Sequence, residues 1–183
     1  VSIDTFRSSV AARTIHKYGK VIINDISAGE LDPLIVDVAA EHDVPYVAMH
    51  MKGDPRTMQS MTDYRDIVAE VVDYFRERTA QLRERGVRRI VVDPGFGFAK
   101  TLEQNYELLR GLHSLAELGY PVLAGVSRKS MIYKLLGTTP AEALNGTTAL
   151  HWECLRQGAV ILRAHDTREA VEVVRMFDQF MQA

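Results

Sequence analysis

Short apolar runs alternate with longer amphipathic stretches along the whole chain. The runs are rich in β-branched residues, which is typical of strands buried in a parallel sheet. They lie at residues 1–3, 21–23, 46–49, 90–92, 122–124 and 160–162. A helical pattern follows each run. This strict alternation predicts an α/β fold in which parallel strands are joined by right-handed helical crossovers.

Two of the helical patterns predict which face is buried. In residues 62–85 the apolar positions recur at the spacing of one helix face, at Ile67, Val68, Val71, Val72 and Phe75. Residues 166–182 open with a capping-box pair, Asp166 and Glu169, and the spacing predicts four inward side chains: Val171, Val174, Phe177 and Met181. Four glycines just before strands predict helix ends at positive φ: Gly19, Gly86, Gly119 and Gly158.

The composition is that of an ordinary globular domain. With 183 residues, 46% hydrophobic and 25% charged residues and a net charge of −2, we expect residues 1–183 to form one domain with no nucleic-acid partner. No apolar run approaches the roughly 20 residues that cross a bilayer, so no membrane partner is expected. The single cysteine, Cys154, cannot form an intramolecular disulfide and fits a reducing compartment.

Polar side chains stand at the end of every predicted strand. In strand order these are Asp4-Thr5, Asn24-Asp25, Met49-His50-Met51, Asp93, Ser127-Arg128-Lys129-Ser130 and Arg163-Ala164-His165-Asp166. The carboxyl ends of parallel strands meet at one rim, where α/β proteins bind their ligands. We therefore expect a rim with carboxylates and an amide on one side and with Lys, Arg and His on the other.

The change of character is sharpest at Asp93. After it, Pro94 and two glycines break regular structure, and Thr101 with Gln104 has the form of a capping box that opens the next helix. The strand therefore delivers a carboxylate to a loop at the rim.

Such a rim suits a flat, nitrogen-rich ring, whose N–H and amino groups need acceptors once water is removed. A pteridine or a purine fits. Lys129 supplies a donor or a positive charge, and Arg163 can stack on an aromatic ring or bind phosphate oxygens, which His165 can share. The sequence thus predicts a bicyclic heteroaromatic substrate that carries a phosphate or diphosphate.

Each of these residues also has a structural interpretation. Asp4 and Asp166 precede threonines and could be helix caps. Asn24 and Asp25 could simply be residues that favour a turn in a loop. For His50 we favour a packed or supporting role over metal binding, because no second His or Cys has ligand spacing. Arg128-Lys129 could be surface charge, but it follows an apolar strand, so the functional interpretation is favoured.

Taken together, the motifs make the chain resemble the dihydropteroate synthase family of pterin-binding enzymes. The likeness runs from Val1 to the last predicted helix, and the motifs occur in family order. They are Ser2-Ile-Asp-Thr5, Ile23-Asn-Asp-Ile26, Met49-His-Met51, Asp93-Pro-Gly-Phe-Gly-Phe98, Gly125-Val-Ser-Arg-Lys-Ser130 and Arg163-Ala-His-Asp166. The fourth and fifth motifs are the most specific.

The resemblance implies a (β/α)8 TIM barrel and a transferase of folate biosynthesis. Its reaction joins p-aminobenzoate to 6-hydroxymethyl-7,8-dihydropterin diphosphate and releases pyrophosphate with the help of Mg²⁺, giving 7,8-dihydropteroate. The resemblance further implies a sulfonamide target, a cytoplasmic enzyme and a homodimer that pairs through the late helices.

The resemblance also implies a role for each matching residue. Four are implied to take part in catalysis: Asp4 near the cationic pterin methylene, Lys129 at the pterin carbonyl and ring nitrogen, and Arg163 with His165 on the diphosphate. Arg163 would in addition cover the ring face. The remaining substrate contacts are Asn24 and Asp93 on the pterin edge, Met49, Phe98 and Gly125 around the pterin slot, and Ser130 beside p-aminobenzoate.

Counted against the family, the first strand here corresponds to the third strand of the barrel. We therefore expect two further βα units before Val1, carrying the Asn that contacts the metal, a Thr near the diphosphate and two mobile loops. No metal ligand is expected in residues 1–183. Six strands alone would leave open edges where the barrel should close.

Two other readings remain beside the synthase. A methyltetrahydrofolate:corrinoid methyltransferase pterin domain would share the barrel and the pterin pocket, but is expected to lack the Ser-Arg-Lys-Ser and Arg-x-His-Asp stretches. A non-catalytic pterin-binding subunit would be expected to have lost a diphosphate-handling residue, whereas Lys129, Arg163 and His165 are all present.

Overall fold

A computed structural model describes residues 1–53 and 61–182 and contains a curled parallel sheet with helices between the strands. Its strands are β1 Ser2–Asp4, β2 Ile22–Asp25, β3 Tyr46–Met49, β4 Ile90–Asp93, β5 Leu123–Ala124 and β6 Ile161–Leu162. Neighbours pair in chain order, in one group from β1 to β4 and another of β5 with β6. A parallel bridge between Val92 and Val122 joins the two groups. The predicted α/β alternation with parallel strands is confirmed.

Helices and helical turns occupy the connections. They are α1 Ser8–Tyr18, α2 Leu34–Glu41, α3 Ile67–Glu84, α4 Leu102–Arg110, α5 His113–Ala116, α6 Ser130–Tyr133, α7 Leu144–Arg156 and α8 Thr167–Gln182, with a 3-10 turn at Pro140–Glu142. The glycines predicted to end helices all have positive φ, at Gly19, Gly86, Gly119 and Gly158. No helix in the described part of the chain is both long and apolar enough to cross a membrane.

Three strands, β1, β2 and β4, extend further toward the rim than the apolar runs do. The predicted ends at Ile3, Ile23 and Val92 were one or two residues short, because Asp4, Asn24, Asp25 and Asp93 are themselves paired strand residues. In register, Asp4 lies beside Asn24, and Met49 lies beside Asp93. The apolar pattern stops early because side-chain polarity changes before the backbone ladder ends. Key polar groups therefore stand on the rigid sheet itself.

Two helix starts depend on specific side-chain contacts. The capping box predicted at Thr101 and Gln104 is present, with Gln104 N 3.2 Å from Thr101 Oγ1 and Thr101 N 2.9 Å from Gln104 Oε1. The prediction of a helix from residue 62 was wrong, because Asp66 caps α3 by accepting a 3.0 Å hydrogen bond from Ala69 N. The helix consequently begins at Ile67.

The predicted inward face of α8 was partly wrong. Val171 and Met181 are 49% and 65% exposed, whereas Ala170 and Val173 are the buried positions. The buried stripe is shifted because the helix packs against α7, where Phe177 meets Trp152 at a ring distance of 5.4 Å. Asp166 does not act as the expected helix cap, since its carboxylate binds Arg128 instead.

The core lies between the sheet and the surrounding helices. Tyr46 on β3, Phe75 on α3 and Phe96 after β4 are completely buried. All four residues of β3 are buried, and the outer strands β1 and β6 are more exposed. The core therefore fixes the central strands β2 to β4 most firmly, and these strands carry Asn24 and Asp93.

Candidate functional site

The acidic and amide wall of the rim begins with Asp4 and Asn24. Asn24 Nδ2 donates a 2.7 Å hydrogen bond to Asp4 Oδ1, directly across the β1–β2 pair. Asp4 is exposed and Asn24 is 7% exposed. Asp4 is not a helix cap, because α1 begins at Ser8 and its N-cap residue is Arg7. The carboxylate instead orients the Asn24 amide so that its oxygen points away from Asp4.

That amide oxygen accepts from Arg163, whose guanidinium joins opposite parts of the sheet. Arg163 Nη1 lies 3.2 Å from Asn24 Oδ1, and Nη2 lies 2.7 Å from Asp93 Oδ2. Strands β2 and β6 are four intervals apart, roughly 19 Å in a flat sheet at about 4.8 Å per interval. No arginine side chain bridges that distance, so the sheet must curl until the ends of β2, β4 and β6 face one hollow.

Asp93 is the most buried charged group of the cluster, with no solvent exposure. Its Oδ1 accepts a 2.8 Å hydrogen bond from Gly95 N, which turns the chain after β4. Its Oδ2 is close to Arg163, but the N–H is not aimed at it, and among the described residues this oxygen accepts no well-directed hydrogen bond. Asp93 therefore presents an unmet acceptor to the hollow, as a buried carboxylate does where a ligand N–H is to bind.

Lys129 forms the opposite wall together with Phe98. Its ammonium donates to the carbonyl of Phe96 and lies 4.6 Å from the Phe98 ring centre, a cation–π distance. Burial lowers the pKa of Lys129 to about 8, and Arg163 adds to this, while the Asp93 carboxylate opposes it. Lys129 is thus a half-buried donor that faces the same space as Asp93 and Arg163.

Two glycines let these groups approach each other. A Cβ on Gly125 would stand 2.5 Å from Arg163 Nη2, and a Cβ on Gly97, where φ is +80°, would stand 3.2 Å from Lys129 Cδ. Gly125 therefore provides the floor on which the guanidinium rests. Gly97 leaves room for the lysine stem and supplies the positive φ that the loop requires.

His165 is joined to the rim through Ser127, a residue to which the sequence motifs assigned no role. Ser127 Oγ accepts a 3.1 Å bond from His165 N and lies 3.0 Å from His165 Nδ1. Since the hydroxyl already accepts from the backbone, it can donate its proton to Nδ1 and leave Nε2–H as a donor. The only sequence signal was the position of Ser127 at a strand end, two residues before Lys129.

Arg128 fixes the loop that carries Lys129. Its Nε and Nη2 make 2.9 and 2.7 Å bonds to the two carboxylate oxygens of Asp166, and Nη1 donates to the carbonyls of Pro140 and Ala141. The bonds from Arg128 lower the pKa of Asp166. Arg128 also has φ +53°, which residues other than glycine rarely adopt. The pair therefore ties the loops after β5 and β6 together.

The remaining predicted site residues lie around this cluster at different distances. Met49 ends β3 beside Asp93, and a Cβ on Gly95 would meet its Cγ at 3.4 Å. Ser130 begins α6 directly after Lys129 and is half-buried. Asp25 has a structural role, because its carboxylate is buried and accepts from Ser27 N, Ser27 Oγ, Gly29 N and Tyr46 Oη at 2.6 to 2.8 Å.

His50 is packed, as the sequence interpretation favoured. It is 5% exposed and meets the Tyr74 ring edge-on at 4.9 Å. Burial lowers its pKa to about 3, and the nearby charges of Lys100 and Lys52 act in the same direction. Within residues 1–53 and 61–182, no group of three His, Cys, Asp or Glu side chains is placed to hold a metal ion.

Comparison with known proteins agrees with this geometry. The family model described as "Pterin binding enzyme" matches residues 1–165. The chain belongs to the pterin-binding enzyme family. That membership was predicted from the strand-end motifs, and the structure brings together the Asp, Asn, Lys and Arg side chains that those motifs contain.

Dihydropteroate synthases are among the pterin-binding enzymes to which the chain is similar. The one from Synechocystis is 42% identical over 181 residues, covering 97% of this chain and 62% of that relative. The Thermus thermophilus enzyme in complex with 6HMPPP superposes with a TM-score of 0.92 at 40% identity, over 98% of this chain and 71% of the other. The Xanthomonas albilineans enzyme in complex with 7,8-dihydropteroate superposes with a TM-score of 0.89 at 38% identity, over 100% of this chain and 66% of the other. The chain thus spans about 62% of the Synechocystis relative's length.

Proposed function

We propose that this chain carries the pterin and diphosphate sites of a dihydropteroate synthase. The observation that carries the proposal is one continuous set of contacts in which Asp4, Asn24, Arg163 and Asp93 follow each other within 3.2 Å, with Lys129 facing them. The likeness to synthases bound to 6HMPPP and to 7,8-dihydropteroate supports it. The reaction is the transfer of a pterin-methylene group from diphosphate to the amine of p-aminobenzoate.

In this proposal Asp93 and Asn24 read the amino-pyrimidine edge of the pterin. Asp93 Oδ2 has an unmet lone pair, and Asn24 offers an amide whose orientation Asp4 fixes. The pterin edge presents adjacent N–H and NH₂ donors, which match a carboxylate and an amide oxygen. Lys129 would donate to the carbonyl and ring nitrogen. Met49, Phe98 and Gly125 would form the walls of the slot, as in the sequence-based prediction.

The chemistry calls for opposite charges at the two ends of the breaking bond. When diphosphate leaves the pterin methylene, positive charge develops on carbon and negative charge on oxygen. Asp4 would stabilise the carbon side. Arg163 and the Nε2–H of His165, held by Ser127, would bind the diphosphate oxygens. The aryl amine is a weak nucleophile that needs positioning more than a strong base, and we place its site beside Ser130.

We further propose that the six strands belong to an eight-stranded (β/α)8 barrel. Support comes from the curl that brings Arg163 of the β6 loop within 3.2 Å of Asn24 on β2. Strands β1 and β6 stand at the two edges of the sheet, and at the β6 edge Val160, just before the strand, and Ile161 are 67% and 38% exposed. Two further βα units against these edges would cover that surface.

We propose that Mg²⁺ binds together with the diphosphate. The described side chains do not fit a protein-built metal site on their own, because no three suitable ligands come together among them. Mg²⁺ would be held by the diphosphate oxygens and would add positive charge beside the leaving group.

A homodimer through the late helices is part of the same proposal. Met176, Phe180 and Met181 on α8 are 65 to 67% exposed, and Phe180 lies 5.5 Å from the Trp152 ring on α7. A groove of about 520 Å³ is lined by Trp152, Met176 and Phe180. An equivalent face on a second copy would cover this apolar surface.

The lone buried thiol of Cys154 supports placement in the reducing cytoplasm.

The experiment is dihydropteroate formation by the complete protein from pterin diphosphate and labelled p-aminobenzoate. We expect product with wild type and a large loss with Lys129→Ala. Tight binding of methyltetrahydrofolate without any dihydropteroate would favour the corrinoid methyltransferase. Pterin binding with no turnover of either substrate would favour a non-catalytic subunit.

A further inference from the structure

Lys100 is a buried cation that lies outside the substrate-facing cluster. It is 7% exposed and follows the loop that begins at Asp93. Its Nζ lies 3.1 Å from His50 Nδ1, 3.1 Å from Gly95 O and 3.0 Å from Phe98 O. A lysine ammonium has three donors and no acceptor, so these contacts use its whole hydrogen-bonding capacity.

The loop between Asp93 and Lys100 has a conformation that its backbone does not favour. Gly95, Gly97 and Ala99 all have positive φ, and Ala99 at +52° has a side chain that disfavours it. A Cβ on Gly95 would stand 2.2 Å from His50 O. Such a conformation persists only where surrounding contacts hold it. Here the loop is drawn against the end of β3 on one side and against Lys100 on the other.

The contacts of Lys100 join the parts of the loop that carry the site. Gly95 O comes two residues after Asp93, whose Oδ1 binds Gly95 N, and Phe98 O belongs to the residue that faces Lys129. Asn105 supports the same loop from α4, since its Oδ1 accepts a 2.6 Å bond from Gly97 N. Lys100 thus holds both ends of a segment that lines both walls of the proposed pterin slot.

The hydrogen bonds of Lys100 can form whether its amine is protonated or neutral. Desolvation lowers the pKa of Lys100 to about 7, while the Asp93 carboxylate opposes the shift. A neutral amine keeps two N–H groups for the two carbonyls and gains a lone pair, which can accept from His50 Nδ1–H. All of the contacts therefore have a donor and an acceptor in either protonation state.

We propose that Lys100 is a positioning residue which, through the carbonyls of Gly95 and Phe98 and with His50 as its anchor, holds the loop so that Asp93 and Phe98 face the pterin. The effect on substrate rests on the function proposed above; the effect on the loop does not. Lys100 itself does not touch substrate. It acts by preorganising two groups that do.

The first test compares Lys100→Met, which keeps length and removes all donors, with the exposed Lys20→Met as a matched control. In the complete protein we expect Lys100→Met to raise KM for pterin diphosphate by about 10- to 100-fold with a smaller change in kcat, because misplacement weakens recognition of the ring. Lys20→Met should match wild type. A folded Lys100→Met whose KM stays within twofold of wild type overturns the proposal.

A second test isolates His50 and serves if Lys100→Met does not fold. His50→Asn places an oxygen acceptor near the position of Nδ1, whereas His50→Leu removes it. We expect Asn to retain most of the pterin affinity and Leu to lose at least about tenfold, as for a buried group left without its partner. Equal losses in the two variants would overturn the anchoring role of His50.

Hydrogen exchange separates this inference from the proposed function. The Phe98 amide donates to Gly95 O within the loop at 3.1 Å. Without any ligand, we expect this amide to exchange at least about tenfold faster in Lys100→Met, or in His50→Leu if that variant alone folds, than in wild type. If wild type makes no dihydropteroate but exchange is still faster in the variant, the synthase proposal fails and the role of Lys100 in holding the loop stands. If exchange is the same in variant and wild type, Lys100 does not hold the loop, whatever the activity.

Discussion

Arg163 and Asp93 form an ion pair at the rim, with Nη2 of the arginine 2.7 Å from Oδ2 of the aspartate. The same guanidinium also reaches Asn24 Oδ1 at 3.2 Å. Its two N–H groups thus lie where the proposed pterin edge presents its own N–H and NH₂ donors. A bound pterin must displace Arg163 from its hydrogen bond to Asn24 Oδ1 and from its ion pair with Asp93 Oδ2, to which no N–H is aimed. Arg163 then becomes available for the diphosphate.

The first prediction therefore concerns Arg163→Met. Removing the guanidinium deletes a competitor for Asp93 and a partner for diphosphate, so its effect should depend on the ligand. We expect affinity for pterin diphosphate to fall by about 1.5 to 3 kcal/mol, the range for hydrogen bonds to charged groups, and affinity for the pterin alcohol to fall far less. Calorimetric titration with both ligands measures the difference. Equal losses for both would mean that Arg163 does not select the diphosphate.

The second prediction is that Asp93→Asn weakens pterin binding by about 1 to 3 kcal/mol, the cost of leaving a buried partner unsatisfied. The substitution keeps the shape but replaces one acceptor oxygen with an NH₂ donor, which opposes the donors of the pterin edge. Titration with a non-reactive pterin gives the number. Asp63→Asn, on the surface segment before α3, is the control. Wild-type affinity in Asp93→Asn would remove Asp93 from the pterin site.

The third prediction concerns activity at alkaline pH. Lys129 must be protonated to act as a cation, and burial lowers its pKa to about 8. The protonated form is lost as pH rises through that value, so kcat/KM should decline above about pH 8. Lys129→Arg, if it retains measurable activity, should not show this decline, because arginine stays charged. A profile that is flat from pH 7 to pH 9.5 in wild type would contradict the assignment.

The fourth prediction concerns stability in acid. The folded protein holds His50 neutral with a pKa of about 3, whereas an unfolded histidine titrates near 6.5. Between these values the unfolded state binds more protons, so the free energy of unfolding falls as pH falls from 6.5 toward 3. The loss should be about 2 kcal/mol by pH 5. Urea denaturation of wild type and His50→Asn measures it.

In His50→Asn, whose residue 50 cannot titrate, the free energy of unfolding should fall between pH 6.5 and pH 5 by about 2 kcal/mol less than in wild type. The exposed His16→Asn is the control and should follow wild type. If His50→Asn and wild type lose stability in parallel, His50 is not the group that couples folding to protons.

Much of the site could be predicted from sequence because strand ends define it. Asp4, Asn24 and Asp93 were found from the change between apolar and polar residues, and parallel strands bring such positions to one rim. The partners of Arg163 could not be found this way. They depend on how far the sheet curls, which no local pattern reports.

Other features were missed because a local pattern had a tertiary competitor. Asp166 has the form of a cap, yet a forked guanidinium binds its carboxylate more strongly than a helix N–H does. Nothing in the local sequence predicts that Lys100 is buried, since lysines are mostly exposed. Its burial follows only from the fold of that loop against His50, a contact between residues fifty positions apart.

The most direct measurement is a crystal structure of the complete protein with 6-hydroxymethyl-7,8-dihydropterin diphosphate. We predict that the amino-pyrimidine edge lies on Asn24 and Asp93, with Lys129 at the ring carbonyl and the diphosphate on Arg163 and His165. A pterin bound away from these strand ends, or bound with its diphosphate on the Asp4 and Asp93 side, would contradict this prediction.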